Sequence, residues 1–237
     1  VRAKVAGLRH QQGDLTAAHQ DDTQLRLGRR QLEQARLRLN LLGGTPGTGK
    51  TTVARAQSDA VGAMSLTTDE IRKDLTGRGH LDRELSPPDE GIYGPEPTER
   101  TYRQLLAQAA KVINRGRSVV LDASWNQAAH RKAAADLART EAVDFVDIEC
   151  VVDADTAKAR VAERLARGDD PSDARPELID ELRRRHQPWP TATPIDTARS
   201  LDETVAAAID VVQAGDGVRV DRPGGAPRST APGTSLH

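Results

Sequence analysis

Leu39-Asn40-Leu41-Leu42-Gly43-Gly44-Thr45-Pro46-Gly47-Thr48-Gly49-Lys50-Thr51 is the stretch on which the reading of this chain turns. A short apolar run halts at a glycine pair. From Gly44 to Thr51 every fixed position of G-x-x-x-x-G-K-[ST] is then met. The residue types follow from the chemistry of holding a phosphate. Glycines reach backbone angles that side chains resist, so successive N–H groups can turn inward around an anion. A helix that begins near Lys50 adds the positive end of its dipole. Lys50 can then reach the β- and γ-phosphates of a nucleotide, and the Thr51 hydroxyl can ligate Mg²⁺. Gly44, Thr45, Pro46, Gly47, Thr48, Gly49, Lys50, Thr51 and Thr52 are therefore the expected ATP-binding residues. The competing reading is a glycine-rich turn with no ligand. An apolar strand before the motif and a helical stretch after it favour the phosphate loop.

Downstream, strand-like and helix-like stretches alternate. Ala63 to Thr67 suits a second strand, and a Pro- and Gly-rich loop covers Thr76 to Pro97. Thr98 can cap a helix that runs to about Arg115, with Tyr102, Leu105, Leu106, Ala109 and Ile113 on one face and Gly116 as its stop. Ser118 to Leu121 is a strand ending at Asp122, and residues 127–139 look helical. Asp144 to Val152 is the strongest strand, followed by a helix over Asp155 to Arg167, a polar loop from Gly168 to Pro176 and a helix to about His186. Ile195 falls in a last strand. Ser200 and Glu203 form a capping box for a final helix with Val205, Ala208, Ile209 and Val212 inward. This alternation predicts an α/β fold: a parallel sheet of about five strands with helices on both faces, binding ligands beyond the carboxyl ends of its strands.

The flanks differ from this pattern. Residues 1–38 are rich in helix formers, with Val1, Val5 and Leu8 at helical spacing and Leu25, Leu32 and Leu39 more loosely so. Two such helices cannot bury their apolar faces alone, so they pack on the next domain or end a preceding one. The first residue is Val, which points to an alternative start codon or to a start inside a longer protein. Residues 215–237 are Gly, Pro, Ser, Thr and Arg with almost no large apolar side chain, the composition of a disordered tail. The expected organisation is a helical extension over 1–38, one catalytic-size domain over 39–214 and a tail over 215–237.

Composition narrows the function classes. The chain has 237 residues, 34 Lys plus Arg against 35 Asp plus Glu, and five aromatics. A net charge of −1 and few rings for stacking argue against nucleic acid as a partner. One cysteine, Cys150, excludes a disulfide framework and a Cys-based zinc site, and its place in the strongest strand suits an inert core residue. No apolar run approaches a membrane span, and a cytoplasmic setting is expected. The histidines, His10, His19, His80, His130, His186 and His237, show no metal-ligand spacing.

Three further constellations bear on chemistry. Asp122 closes an apolar strand, where a second Mg²⁺ position is expected; a helix cap or solvated strand end explains it too. Asp69 opens a helix after the second strand. There it would face the phosphate loop and could take a proton from an acceptor hydroxyl. Arg72, three residues on, shares its face and can hold an anionic group; an N-cap with a solvated Arg is the alternative. Arg160, Arg164 and Arg167 share a helix face beside Ala157, Val161 and Leu165 and lead into a polar loop. That suits a lid whose arginines neutralise charge on a transferred phosphoryl group. Arg164 and Arg167 are the expected catalytic pair, with Arg160 near the base, and a salt-bridged surface helix is the alternative. Tyr93, Thr98, Arg100 and Tyr102 lie where an acceptor pocket could form, though a helix start explains them equally. Trp125 could line that pocket or pack the core, and Trp189, between two prolines, is expected at the end of the last lid helix.

The runs LNLLGGTPGTGKTTVARA, TTDEIRK, RSVVLDASW and RLARGDDPSDA together resemble a family of small P-loop kinases. These are the AAA ATP-binding domains that bacteria often fuse behind an aminoglycoside-phosphotransferase-like domain. The resemblance covers about residues 39–213 and extends more distantly to polynucleotide kinase, gluconate kinase and zeta-toxin kinases. It implies a P-loop NTPase fold of the nucleotide-kinase kind with a lid. It further implies Lys50 and Asp69 as catalytic, Arg72 as substrate-binding, Thr51 and Asp122 as Mg²⁺ ligands, and Arg164 and Arg167 as lid arginines. VRAKVAGLRHQQGD resembles the last helices of the fused partner, so residues 1–38 would be its remnant; His10 to Asp14 imitate its catalytic loop without the matching Asn. An arginine finger and sensor set of ring-forming ATPases is not recognisable, which favours a kinase.

The leading expectation is thus an ATP- and Mg²⁺-dependent phosphotransferase acting on a small hydroxyl-bearing molecule. A nucleotide-binding regulatory ATPase module of a two-domain protein, a polynucleotide 5′-hydroxyl kinase and a non-functional fragment stand as alternatives.

Overall fold

Strand β1 (Arg38–Gly43) is buried at every position after Arg38, and a strand buried on both faces requires helices above and below it. Leu39 and Leu41 belong to one core cluster and Leu42 to the other, as the two-residue period of a strand demands. The computed structural model describes residues 25–27, 36–77, 91–167 and 175–214. The expected N-terminal helices, most of the loop after Thr76, the polar loop after Arg167 and the C-terminal tail lie outside the described residues, as do His10, His19, His80 and His237.

β1 lies between β3 (Val119–Asp122) and β4 (Asp144–Val151), with β2 (Met64–Thr67) and β5 (Thr193–Asp196) at the edges. All pairings are parallel and the order is β2-β3-β1-β4-β5. Helices α1 (Lys50–Val61) and α7 (Leu201–Ala214) cover one face: Val53, Ala54, Ala208 and Val212 meet Leu42, Val120, Val146 and Ile148. Helices α2 (Thr68–Thr76), α3 (Pro95–Ile113) and α4 (Ala128–Thr140) cover the other, where Ile71, Leu105 and Ala134 meet Leu39, Leu41, Val119 and Leu121. Helices α5 (Ala154–Arg167) and α6 (Ile179–Arg185), joined at a short turn over Pro176–Leu178, share a small third cluster of Val152, Ala157, Val161 and Ile179. Among the described residues no helix is long and apolar enough to cross a membrane.

The capping box of α7 forms as expected: Ser200 N–H donates to Glu203 Oε2 at 3.1 Å and Glu203 N–H to Ser200 Oγ at 3.3 Å. Two local expectations are corrected. Helix α3 starts at Pro95, not after Thr98, because a first-turn proline gives up an N–H that has no intrahelical partner there. The Thr98 hydroxyl instead donates to Tyr93 O at 3.2 Å from inside the first turn. On α5 the apolar stripe stops at Val161, since Leu165 is 43% exposed.

Candidate functional site

At the carboxyl edge of the sheet β1 runs straight into the glycine-rich loop. Gly47 has φ +86°, and a Cβ on it would run into the Ala157 carbonyl oxygen and sit 2.9 Å from Ala157 Cα, so the loop is pressed against the root of α5. Gly44 is held the same way, 2.5 Å (from its Cβ position) to the Cys150 carbonyl oxygen of β4. Thr48 closes the turn, its hydroxyl donating to Thr45 O at 2.8 Å. Helix α1 begins at Lys50 behind Gly49, and no side chain caps it. Its first N–H groups, which as in any helix have no intrahelical partner, are thus without a side-chain cap, the arrangement that receives phosphate.

Asp122 ends β3 one strand away and is 3% exposed. Burial pushes its pKa up; the Lys50 ammonium and a hydrogen bond from the Thr51 hydroxyl pull it down, and the charge of Asp69 pushes it up again. The structure thus brings Lys50, Thr51 and Asp122 together, with Asp69 in electrostatic reach. Asp122 Oδ1 is buried with no hydrogen-bond partner. A hydroxyl and an orphaned carboxylate oxygen beside a phosphate loop form a hard-oxygen donor set that fits Mg²⁺, which takes few protein ligands and keeps waters and phosphates for the rest.

Across from this group, α2 opens on Thr67, whose hydroxyl accepts from Asp69 N–H at 3.1 Å. Arg72 Nη1 donates to Asp69 Oδ1 at 3.2 Å, as their spacing predicted. Arg72 is 8% exposed, lies 4.7 Å over the Tyr93 ring, and has an unpaired Nε. Tyr102 stands on the same side: burial pushes its phenol pKa up, and both Arg72 and Asp69 act on it. Its oxygen accepts from Trp125 N–H at 3.1 Å and lies 3.4 Å from Ser124 Oγ. Of the weaker candidates, Tyr93 and Tyr102 join this cluster, Thr98 serves α3, and Arg100 is exposed.

The three arginines of α5 have different surroundings. Arg160 Nη2 donates to Thr197 O at 2.7 Å, Nη1 donates to Thr197 Oγ1 at 3.2 Å, and Nη1 lies 3.7 Å from the Cβ position of Gly49, beside the loop. Arg164 is half-buried, and Arg167 is exposed, 3.9 Å from Glu163. Cys150 is buried and its thiol is pushed up to about 12 by burial, as suits a core residue.

Sequence reasoning missed the bend after Asp122. Trp125 is fully buried rather than pocket-lining and has φ +50°, an outlier for an aromatic residue. Its indole N–H donates to Leu121 O at 3.2 Å, and its carbonyl accepts from Arg131 at 3.0 Å. His130 stacks on Tyr102 with ring centres 3.8 Å apart and lies 2.7 Å from Glu99. Trp189 does not sit at the end of the lid helix; it packs where a Cβ on Gly43 would overlap its ring, and donates to Asp147 Oδ2 at 2.9 Å. Tyr102, Trp125, Phe145 and Trp189, four of the chain's five aromatics, fall in one cluster, with Tyr93 under Arg72. Among the described residues no group of three or more His, Cys, Asp or Glu side chains could hold a metal by itself.

The family model for the AAA domain matches residues 39–189. The uncharacterized proteins Mb2027c of Mycobacterium bovis and Rv2004c of Mycobacterium tuberculosis are each 34% identical over 211 residues, which is 89% of this chain and 42% of theirs. The chain therefore spans less than half the length of these curated relatives. Solved structures of the same fold include Mycobacterium tuberculosis APS kinase in complex with AMPPNP and APS, at 21% identity and TM-score 0.57, covering 75% of this chain and 98% of that one. A gluconokinase from Sinorhizobium meliloti matches at 15% and 0.52, covering 76% and 91%. Shikimate kinase from Acinetobacter baumannii in complex with shikimate matches at 14% and 0.51, covering 78% and 97%. These likenesses show the fold, an α/β sheet of the P-loop kinase kind.

Proposed function

The chain belongs to the AAA-domain family, and we propose that within it this domain is a phosphotransferase that moves the γ-phosphate of ATP to a hydroxyl of a small molecule. The observation that carries the reading is the meeting of Lys50, Thr51 and buried Asp122 at one strand end, with Asp69 of α2, the partner of Arg72, in electrostatic reach. Residues Gly44 to Thr52 and the N-terminus of α1 bind the phosphates, Lys50 neutralising the β- and γ-groups. Thr51 and Asp122 would hold Mg²⁺, which when bound offsets charge on the β- and γ-phosphates.

Asp69 accepts the proton of the acceptor hydroxyl as that oxygen bonds to the γ-phosphorus. The bond from the γ-phosphorus to the bridging oxygen breaks, and ADP keeps that electron pair. Arg72 holds Oδ1 of the Asp69 carboxylate, which orients it. Arg72 also offers its unpaired Nε to an anionic group of the acceptor. Arg164 and Arg167 supply positive charge to the transferred group, and Arg160 stands near the nucleotide base. In this reading the acceptor is a small metabolite rather than nucleic acid, and the protein works in the cytoplasm beside a fused or neighbouring aminoglycoside-phosphotransferase-like domain.

Asp69→Asn tests the base. It is expected to keep ATP affinity and lower transfer by about 10²–10⁴-fold, read as phosphorylated products formed from a cell metabolite extract with ATP and Mg²⁺. Normal transfer by that variant would show that Asp69 is not the base. A second reading, a regulatory ATP-binding module, draws on the 42% share of the longer relatives that this chain matches. It predicts bound ATP, no phosphorylated product and nucleotide-dependent affinity for the remainder of the longer protein.

A further inference from the structure

The bend after Asp122 and the segment leading out of α6 are stitched together by contacts that no step of phosphoryl transfer uses. Gln187 N–H donates to Asn126 O at 2.9 Å, and the Gln187 side chain caps α4 by accepting from Ala128 N–H at 2.7 Å. His186 Nδ1 lies 3.0 Å from Asn126 Oδ1 and its Nε2 lies 2.9 Å from Glu149 Oε1. At the centre is Arg131, 7% exposed on α4. Nη1 donates to Trp125 O at 3.0 Å and to Gln187 O at 3.1 Å, and Nη2 donates to Pro188 O at 2.7 Å. The guanidinium lies 5.1 Å over the ring of Trp189, the indole packed against Gly43 at the entrance to the phosphate loop.

We propose that Arg131 is a positioning residue that locks the bend after Asp122 to the segment returning from the arginine-bearing α5–α6 pair, so that each holds the other in register with the phosphate loop. The bend needs such a lock. A buried tryptophan at φ +50° persists only where its surroundings over-determine it, and here Tyr102 holds its N–H, Leu121 its indole and Arg131 its carbonyl. The return segment turns its Gln187 and Pro188 carbonyls to Arg131, whose planar fork takes them together with that of Trp125 from two nitrogens held a fixed distance apart. Burial disfavours the charged guanidinium, and the carboxylates of Glu149 and Asp147 on β4 act against that. One side chain thereby joins the bend after Asp122 to the segment that follows α6.

The lock itself stands on geometry alone; its effect on turnover rests on the phosphotransferase reading. The full chain and its Arg131→Lys and Arg131→Met variants are compared by hydrogen exchange, with and without AMPPNP and Mg²⁺, in peptides covering residues 123–127 and 186–192. Both variants are expected to exchange about tenfold faster in both segments together, while β1 and α1 stay protected. Lysine is not expected to rescue, because its three N–H donors radiate from one nitrogen and cannot reproduce the spread of the two Nη atoms over these carbonyls. With an acceptor, or with ATP hydrolysis as the readout, kcat is expected to fall about tenfold with KM for ATP changed less than about threefold. Unchanged exchange in Arg131→Lys, or acceleration spread evenly over the sheet, would overturn the assignment; should Arg131→Met not fold, Arg131→Lys decides. A wild-type chain that transfers no phosphate yet loses both protections in the variants refutes the kinase reading and supports the lock.

Discussion

Replacing Asp122 by Asn separates stability from ligand binding. The carboxylate is 3% exposed and Oδ1 has no partner, and an unpaired buried polar group costs about 1–3 kcal/mol. Lys50 and Thr51 offset part of that cost, but burial outweighs them, which is why the pKa is raised. Asn keeps the shape and removes the charge, so the ligand-free variant is expected to be more stable at neutral pH. For a chain of this length each ~1 kcal/mol gained raises Tm by about 2–4 °C. The sign with pH follows from the direction of the shift. The folded state binds this proton more tightly than the unfolded chain. The contribution is full below the ordinary value of 3.8 and is lost as pH rises through the raised folded value. The melting curves of wild type and Asp122→Asn should therefore converge in acid and separate toward neutrality, with the variant higher. Saturating ATP with Mg²⁺ should reverse the order, since ligand at a hundred times its Kd stabilises the wild type by about 2.7 kcal/mol. Thermal unfolding over pH 3 to 8, with and without nucleotide, reads both effects (the pH span is about the carboxylate-to-neutral range). A variant less stable than wild type at neutral pH without nucleotide, or one stabilised equally by ATP and Mg²⁺, refutes the reasoning.

Two further outcomes follow from the loop and the sheet. Gly47→Ala places a Cβ into the Ala157 backbone at φ +86°, and neither side can yield by rotating a side chain. It is expected to cost at least about 1–2 kcal/mol and to weaken ATP binding more than tenfold, measured by denaturant unfolding and by titration with a fluorescent ATP analogue; wild-type affinity would show that the loop opens away from α5 on binding. Cys150, buried with its thiol raised to about 12, should resist alkylation in the folded protein and react only at the rate of unfolding; prompt labelling at neutral pH would contradict its placement in β4.

What the sequence disclosed was whatever depends on near neighbours. The phosphate loop, the Asp69–Arg72 pair and the Ser200–Glu203 box are each spelled out within a few residues, and each forms. Asp122 reads as the acid closing an apolar strand, and the structure buries it at that strand end rather than leaving it solvated. What was hidden depends on residues far apart in the chain. Arg131 reads as an ordinary helix cation, and only the fold brings it to the carbonyls of Trp125, Gln187 and Pro188. Trp189 reads as packing the end of the last lid helix until Gly43 is seen beneath it. Thr98 reads as a cap, but the helix starts at Pro95, which fits a first turn at no loss. Leu165 was counted into the α5 stripe by period alone, though the cluster it would join ends with Val161 and Ile179.

Gly43 carries a consequence beyond packing. Both tryptophans of the chain lie against it, Trp125 3.0 Å from its Cβ position and Trp189 overlapping that position. The protein has thereby placed its whole indole fluorescence at the doorway of its nucleotide loop, with no competing emitter of that kind elsewhere. A shift in that doorway is therefore expected to change the native indole emission, so a fluorescence titration with ATP would read occupancy without any attached dye.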